Sequence, residues 1–243
     1  MKKITSHIYQ MGGVQGTGVF SANIYLLVDT GLTIIDTGYK GRISQICGEI
    51  KRSGFSISEV ENIIITHHHV DHTGNLSLMK EMTEAKIIVH KSDAPFIEGK
   101  LPQPYPRALS YIKFLESLWT ASPVNVNVRV DDDDVLPILR GIRVVHTPGH
   151  TPGSICLLIP QEGVLIVGDV IANTRGLSLP SKGFTADMAQ EIQSIRKIAA
   201  LDFDAICFGH GSPILSCARK SIYEFASRLE KKYNASSTNP GGK

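Results

Sequence analysis

Four of the nine histidines crowd into positions 67 to 72, in the run Thr66-His67-His68-His69-Val70-Asp71-His72. Two more stand beside glycines, in Pro148-Gly149-His150 and Gly209-His210-Gly211, and Asp169 follows Val167-Gly168. Imidazoles and carboxylates gathered in this way are ligands for divalent metals. Histidines at i and i+2 cannot share one side of a helix, but from an extended turn they can splay toward a single ion. His67 and His69 fit that role, and His150 completes a three-histidine site with a position left open for water. Asp71 and His72, just past the turn, point to a second ion, with His210 as its other nitrogen. Asp169 bridges the two ions, because a carboxylate offers one oxygen to each. Such a pair holds a hydroxide between its ions and polarises the substrate's electrophile. Asp71 is the candidate to orient that hydroxide and to shuttle its proton to the leaving group. His68 points away from its neighbours and reads as a packed or supporting residue.

Each polar group follows the end of an apolar, β-branched run. Ile24–Val28 and Leu32–Ile35 read as a strand pair turning at Asp29-Thr30-Gly31. Further strands are expected at 63–66, 86–90, 141–146, 155–159, 164–167 and 205–208. Helices are expected at 42–53, 74–82, 107–119, 186–200 and 222–232. Loops at the ends of rigid strands can aim their side chains into one cleft. The order of elements predicts helices packed around mixed sheets. A single domain is expected over 1–234, with an irregular substrate-covering insert at 92–134 and a frayed tail at 235–243.

The chain has 243 residues, of which 42% are hydrophobic and 20% charged, enough to bury a core without help from metals or disulfides. Its 25 basic and 23 acidic residues leave a net charge of +2, and the basic ones are scattered. That pattern argues against a nucleic-acid partner. No stretch is long and apolar enough to span a membrane. The four cysteines show no paired spacing, which together with the polar N-terminus leads us to expect a soluble cytoplasmic protein acting on a small molecule. The oligomeric state stays open, a homodimer included.

The run His67-His68-His69-Val70-Asp71-His72 resembles the HxHxDH motif of the metallo-β-lactamase-fold superfamily. Companion signatures occur in the same order: Ile34-Ile35-Asp36-Thr37-Gly38, then 147–154, Gly168-Asp169 and Gly209-His210-Gly211. The resemblance implies an α+β fold, a four-layer αββα sandwich of mixed sheets with the metals at one edge. It implies two zinc ions, with iron or manganese in some branches. Asp169 replaces the cysteine of one lactam-cleaving branch, and His69 replaces the glutamate of the flavo-diiron branch. The chain ends soon after His210, before room for the helical domain of full-length glyoxalase II. The expectation is therefore a compact glyoxalase II-like or lactonase-like hydrolase, cleaving a lactone or thioester with a metal-bridging hydroxide. The alternatives are a persulfide dioxygenase with a single iron and a phosphodiesterase or nuclease.

Some residues carry two readings. Asp36 orients a histidine ligand or only bonds its own turn, and the resemblance favours the first. Phe20, Tyr105 and Phe114 are candidates for a hydrophobic substrate pocket, whereas Trp119 serves helix packing equally well. Gly12–Gly18 forms either a flap over the metals or a plain hairpin tip. His7, His90 and His146 read as structural.

Overall fold

The computed structural model describes residues 1–11, 22–103 and 120–237, with side chains through 233. The strands are β1 (Lys2–Lys3), β2 (Ile8–Gln10), β3 (Tyr25–Val28), β4 (Leu32–Ile35), β5 (Val60–Ile65), β6 (Lys86–His90), β7 (Val128–Val130), β8 (Val135–Leu136), β9 (Ile142–His146), β10 (Ile155–Ile159), β11 (Val164–Ile166) and β12 (Ala205–Cys207). The helices are α1 (Ile43–Arg52), α2 (Val70–Thr73), α3 (Leu76–Thr83), α4 (Ala94–Ile97), α5 (Met188–Ala199) and α6 (Ala218–Ser237). One sheet runs in the order β1 to β7, antiparallel up to β4 and parallel from β4 to β7. The other runs β12-β11-β10-β9-β8, with only β11 and β12 parallel.

Alternation along β5 shows why the chain forms layers. Ile63 and Ile65 pack outward with Ile46 and Ile50 of α1, Met79 of α3 and Ile97 of α4. Ile64, between them, points inward with Leu27, Ile35 and Ile88 to meet Val144, Ile155, Leu157 and Ile166 of the second sheet. Strands covered on both faces must be apolar in both registers, which explains the unbroken Ile-Ile-Ile run. The outer face of the second sheet packs through Cys156, Leu165 and Ile206 against Ile195 and Ile198 of α5 and Phe225 of α6. Helix, sheet, sheet, helix is the αββα sandwich expected. Removing most of the fully buried Ile64 side chain leaves a cavity between the sheets. Ile64→Ala should cost about 2–5 kcal/mol, read as a lower denaturant midpoint with an unchanged slope; a midpoint like the wild type's would mean the layers are not held by this seam.

Three expectations need correcting. Within the stretch 92–134 the described residues are not all irregular: α4 and the buried Val124 and Val126 belong to the outer core, and β7 is a strand of the first sheet. Asp71 and His72 lie on the single helical turn α2, which begins after the extended His69, and a second helix starts only at Leu76. The closing helix continues to Ser237, past the start of the expected tail. The helix at 107–119, the segment Gly12–Gly18, and Phe20, Tyr105, Phe114 and Trp119 fall outside the described residues. Among the described residues, no helix is long and apolar enough to cross a membrane.

Candidate metal centre

The strands deliver their polar residues to one edge. Asp36 follows β4, the histidine run follows β5, His150 follows β9, Asp169 follows β11 and His210 follows β12. Two clusters result: His67, His69 and His150, and Asp71, His72, Asp169 and His210. Within each cluster the candidate ligand atoms lie within 4.8 Å of one another. The structure groups His67, His69 and His150, and Asp71, His72 and His210, as the spacing did, with Asp169 clustered beside the latter three. The Asp169 carboxylate reaches toward both, Oδ2 lying 3.6 Å from His150 Nε2 and 3.2 Å from His210 Nε2, and Oδ1 3.3 Å from His72 Nε2. Asp71 Oδ2 is 3.1 Å from His210 Nε2.

The surrounding hydrogen bonds fix which ring nitrogen faces the centre. Thr66 N–H and Oγ1–H both donate to the Asp36 carboxylate, at 2.8 Å each. Having given its proton away, Thr66 Oγ1 can only accept from His67 Nδ1, 3.1 Å away. His72 Nδ1 donates to Asp36 Oδ2 at 2.8 Å. Thr185 Oγ1 donates to the Ser181 carbonyl at 2.9 Å and so accepts from His150 Nδ1 at 3.3 Å. In all three rings Nδ1 carries a proton, which leaves Nε2 as the nitrogen that faces the centre. Those three Nε2 atoms and Asp169 Oδ1 are buried with no hydrogen-bond partner. A buried polar atom left without a partner is costly, and cations held by the two clusters would satisfy all four. The donor set therefore fits a metal.

The electrostatics divide the centre. Burial, reinforced by neighbouring imidazoles, holds His67 and His69 well below the usual histidine range. Burial likewise brings His150 down to about 4, against the pull of Asp169. These three are neutral and ready to ligate. Burial alone would lower His72 and His210 too, but carboxylates outweigh it. Asp169, Asp36 and Asp71 raise His72 well above its usual value, and Asp169 and Asp71 raise His210 to about 10. The second cluster thus draws positive charge into itself.

Asp36 takes the supporting role rather than the simple turn. It does so at a φ of +60°, where a non-glycine residue is strained. His68 belongs to neither cluster, its ring stacked on Phe96 at 4.3 Å and its Nδ1 3.0 Å from Asp93 Oδ2. His90 and His146 stack on each other at 3.9 Å outside the centre, and His7 pairs with Glu162 at 2.7 Å. Sequence reasoning passed over several supports. Asn23 Nδ2 donates to the carbonyls of Phe208 and Gly211, and Tyr25 Oη–H to that of Phe208, gripping the His210 loop from β3. Glu191 accepts from His150 N–H at 2.6 Å, and burial pushes its acid up to about 9. Tyr39 has its phenol raised by burial and then by Asp71, so it lies within the field of the second cluster.

Residues 17–210 match the family described as the metallo-beta-lactamase superfamily. The chain belongs to that superfamily. Among its relatives is the "Probable metallo-hydrolase YflN" of Bacillus subtilis, 29% identical over 240 residues, 89% of this chain and 91% of the relative. A hydroxyacylglutathione hydrolase of Maricaulis maris is 28% identical over 157 residues, 64% of this chain but only 48% of that protein. A metallo-beta-lactamase family protein of Thermus thermophilus has the same fold, with a TM-score of 0.76 at 21% identity, covering 96% of this chain and 82% of that one. So has a subclass B3 metallo-beta-lactamase of Bradyrhizobium japonicum, with a TM-score of 0.71 at 20% identity over 98% of this chain and 93% of that one. These structures share the fold that brings the two candidate clusters together here.

Proposed function

We propose that this superfamily member is a dinuclear metal-dependent hydrolase of an ester-like bond, a lactone or a thioester. The observation that carries the reading is the convergence of unpartnered Nε2 atoms of His67, His72 and His150 with Asp169 Oδ1 in one buried centre. His67, His69 and His150 would hold one ion, and Asp71, His72 and His210 the other, with Asp169 between them. Neutral imidazoles mixed with carboxylates suit zinc, and iron or manganese are its competitors. When bound, the ions acidify water and act as Lewis acids on the substrate carbonyl.

The chain's own groups supply the rest. Asp71, its side chain 14% exposed, is on the open side of the centre. It accepts a proton as the water oxygen bonds to the carbonyl carbon. It returns that proton to the departing oxygen or sulfur as the carbon–heteroatom bond breaks. Asp36, Thr66 and Thr185 hold the ligand rings so that none must reorient during turnover. The similarity to a hydroxyacylglutathione hydrolase supports the thioester arm, and four free cysteines accord with a reducing cytoplasm.

Metal analysis with a substrate panel tests the reading. The protein should carry two ions per chain, lose hydrolysis of lactones or thioesters on chelation, and regain it with zinc. One iron per chain with oxygen consumption on a persulfide would turn the assignment to the oxygenase. Activity that survives complete metal removal would end it.

A further inference from the structure

Asp93 occupies the residue before α4, where an aspartate ordinarily caps its own helix. Its side chain makes no cap bond. Fully buried, the carboxylate instead takes donors from the two loops that carry the first histidine cluster. From the loop after β5, Oδ2 accepts His68 N–H at 2.9 Å and lies 3.0 Å from His68 Nδ1. From the loop after β9, Oδ2 accepts Thr151 Oγ1–H and Oδ1 accepts Gly153 N–H, each at 2.7 Å. His68 separates His67 from His69, and Thr151 follows His150. The approach is so close that a Cβ on Gly153 would stand 2.5 Å from Asp93 N and 2.6 Å from its Cγ. No bond from Asp93 reaches the residues of the second cluster.

We propose that Asp93 is the positioning residue of the first metal site, the joint that sets His67 and His69 against His150 with no bond of its own to the second cluster. This rests on the dinuclear reading above. The two sheets contribute the two loops separately, so the distance between their histidines depends on what ties loop to loop. A single buried carboxylate spanning them makes that distance a local property, adjustable without touching the other ion. Groups of this kind, bonded to the ligand-bearing segments, typically change metal affinity by about 10–100-fold when removed.

Cobalt titration of the full chain, in competition with a chelator and followed by visible absorption, tests the assignment. His150→Ala and His210→Ala serve as references lacking one ligand of each site. In Asp93→Asn and Asp93→Ala, one of the two affinities should fall about 10–100-fold, with a residual spectrum matching His150→Ala and the other affinity little changed. If those variants fail to fold, Thr151→Val removes one bond and keeps the others, and the same affinity should fall several-fold. Equal loss at both sites, or loss at neither in a folded variant, overturns the role of Asp93. A wild-type chain that binds fewer than two cobalt ions overturns the dinuclear reading itself, and this inference falls with it.

Discussion

Asp71→Asn should lower kcat by about 10²–10⁴ at saturating metal, with the fold intact. The substitution keeps the shape of the side chain on α2 and disturbs no packing, because this side chain lies at the open edge of the centre. What it removes is the capacity to take a proton. Asn retains one oxygen able to ligate, so the weakened affinity of the second site can be overcome by added metal, whereas the lost base cannot. The two roles therefore separate: the ligand role appears as a higher metal requirement, and the shuttle role as a kcat deficit that persists when both ions are bound. Steady-state kinetics across a zinc titration, with metal content measured on the same samples, reads both. If kcat returns to the wild-type level once the metal is replenished, Asp71 is a ligand and nothing more.

The candidate ligands could be read from sequence because they fall in the loops and the short turn that follow strands, two of which are unmistakably apolar. Ile63-Ile64-Ile65 before the histidine run and Val164-Leu165-Ile166 before Asp169 are buried on both faces, so their ends are sharply marked. The spacing within 67–72 groups the candidate ligands as the structure clusters them. The residues that hold the ligands were harder to read. Asp93 looks like an ordinary residue before a helix, and its real partners lie 25 and 58 positions away, at His68 and Thr151. Glu191 sits on an amphipathic helix where a glutamate is expected at the surface, yet it is fully buried against the His150 loop. Nothing local distinguishes such residues, because long-range pairing is decided by topology. The misjudged insert has a different cause. With four residues in α4 and three in β7, neither completes enough of a period to register as an element.

The glycine beside His210 offers a sharp test of how little room the centre has. In Gly209→Ala the new methyl carbon would lie 2.1 Å from Asp169 Oδ1 and 2.9 Å from the Gly168 carbonyl. The backbone cannot retreat. Gly209 N–H donates to the Gly168 carbonyl at 2.6 Å, and the Gly209 carbonyl accepts Asn23 N–H at 2.6 Å. Asn23 Nδ2 and the Tyr25 hydroxyl hold the same loop from β3. The yielding element is the Asp169 side chain, which must rotate out of the position from which it faces His72, His150 and His210. The expected result is loss of at least one ion and a fall in turnover of about 10–100-fold, with a packing cost of about 1–3 kcal/mol. Gly211→Ala would not isolate this effect, since Gly211 has a φ of +98° and its Cβ would meet the Asn173 backbone at 2.0 Å, straining the chain itself. Gly183→Ala is the fitting control, because the nearest atom to its Cβ is Ser181 Oγ at 3.8 Å. Metal content, turnover and thermal midpoint measured on the Gly209 and Gly183 variants decide the matter. A Gly209→Ala protein that holds two ions and works like the wild type would show that the Asp169 carboxylate does not need its present orientation, and the bridging role assigned to it would fail.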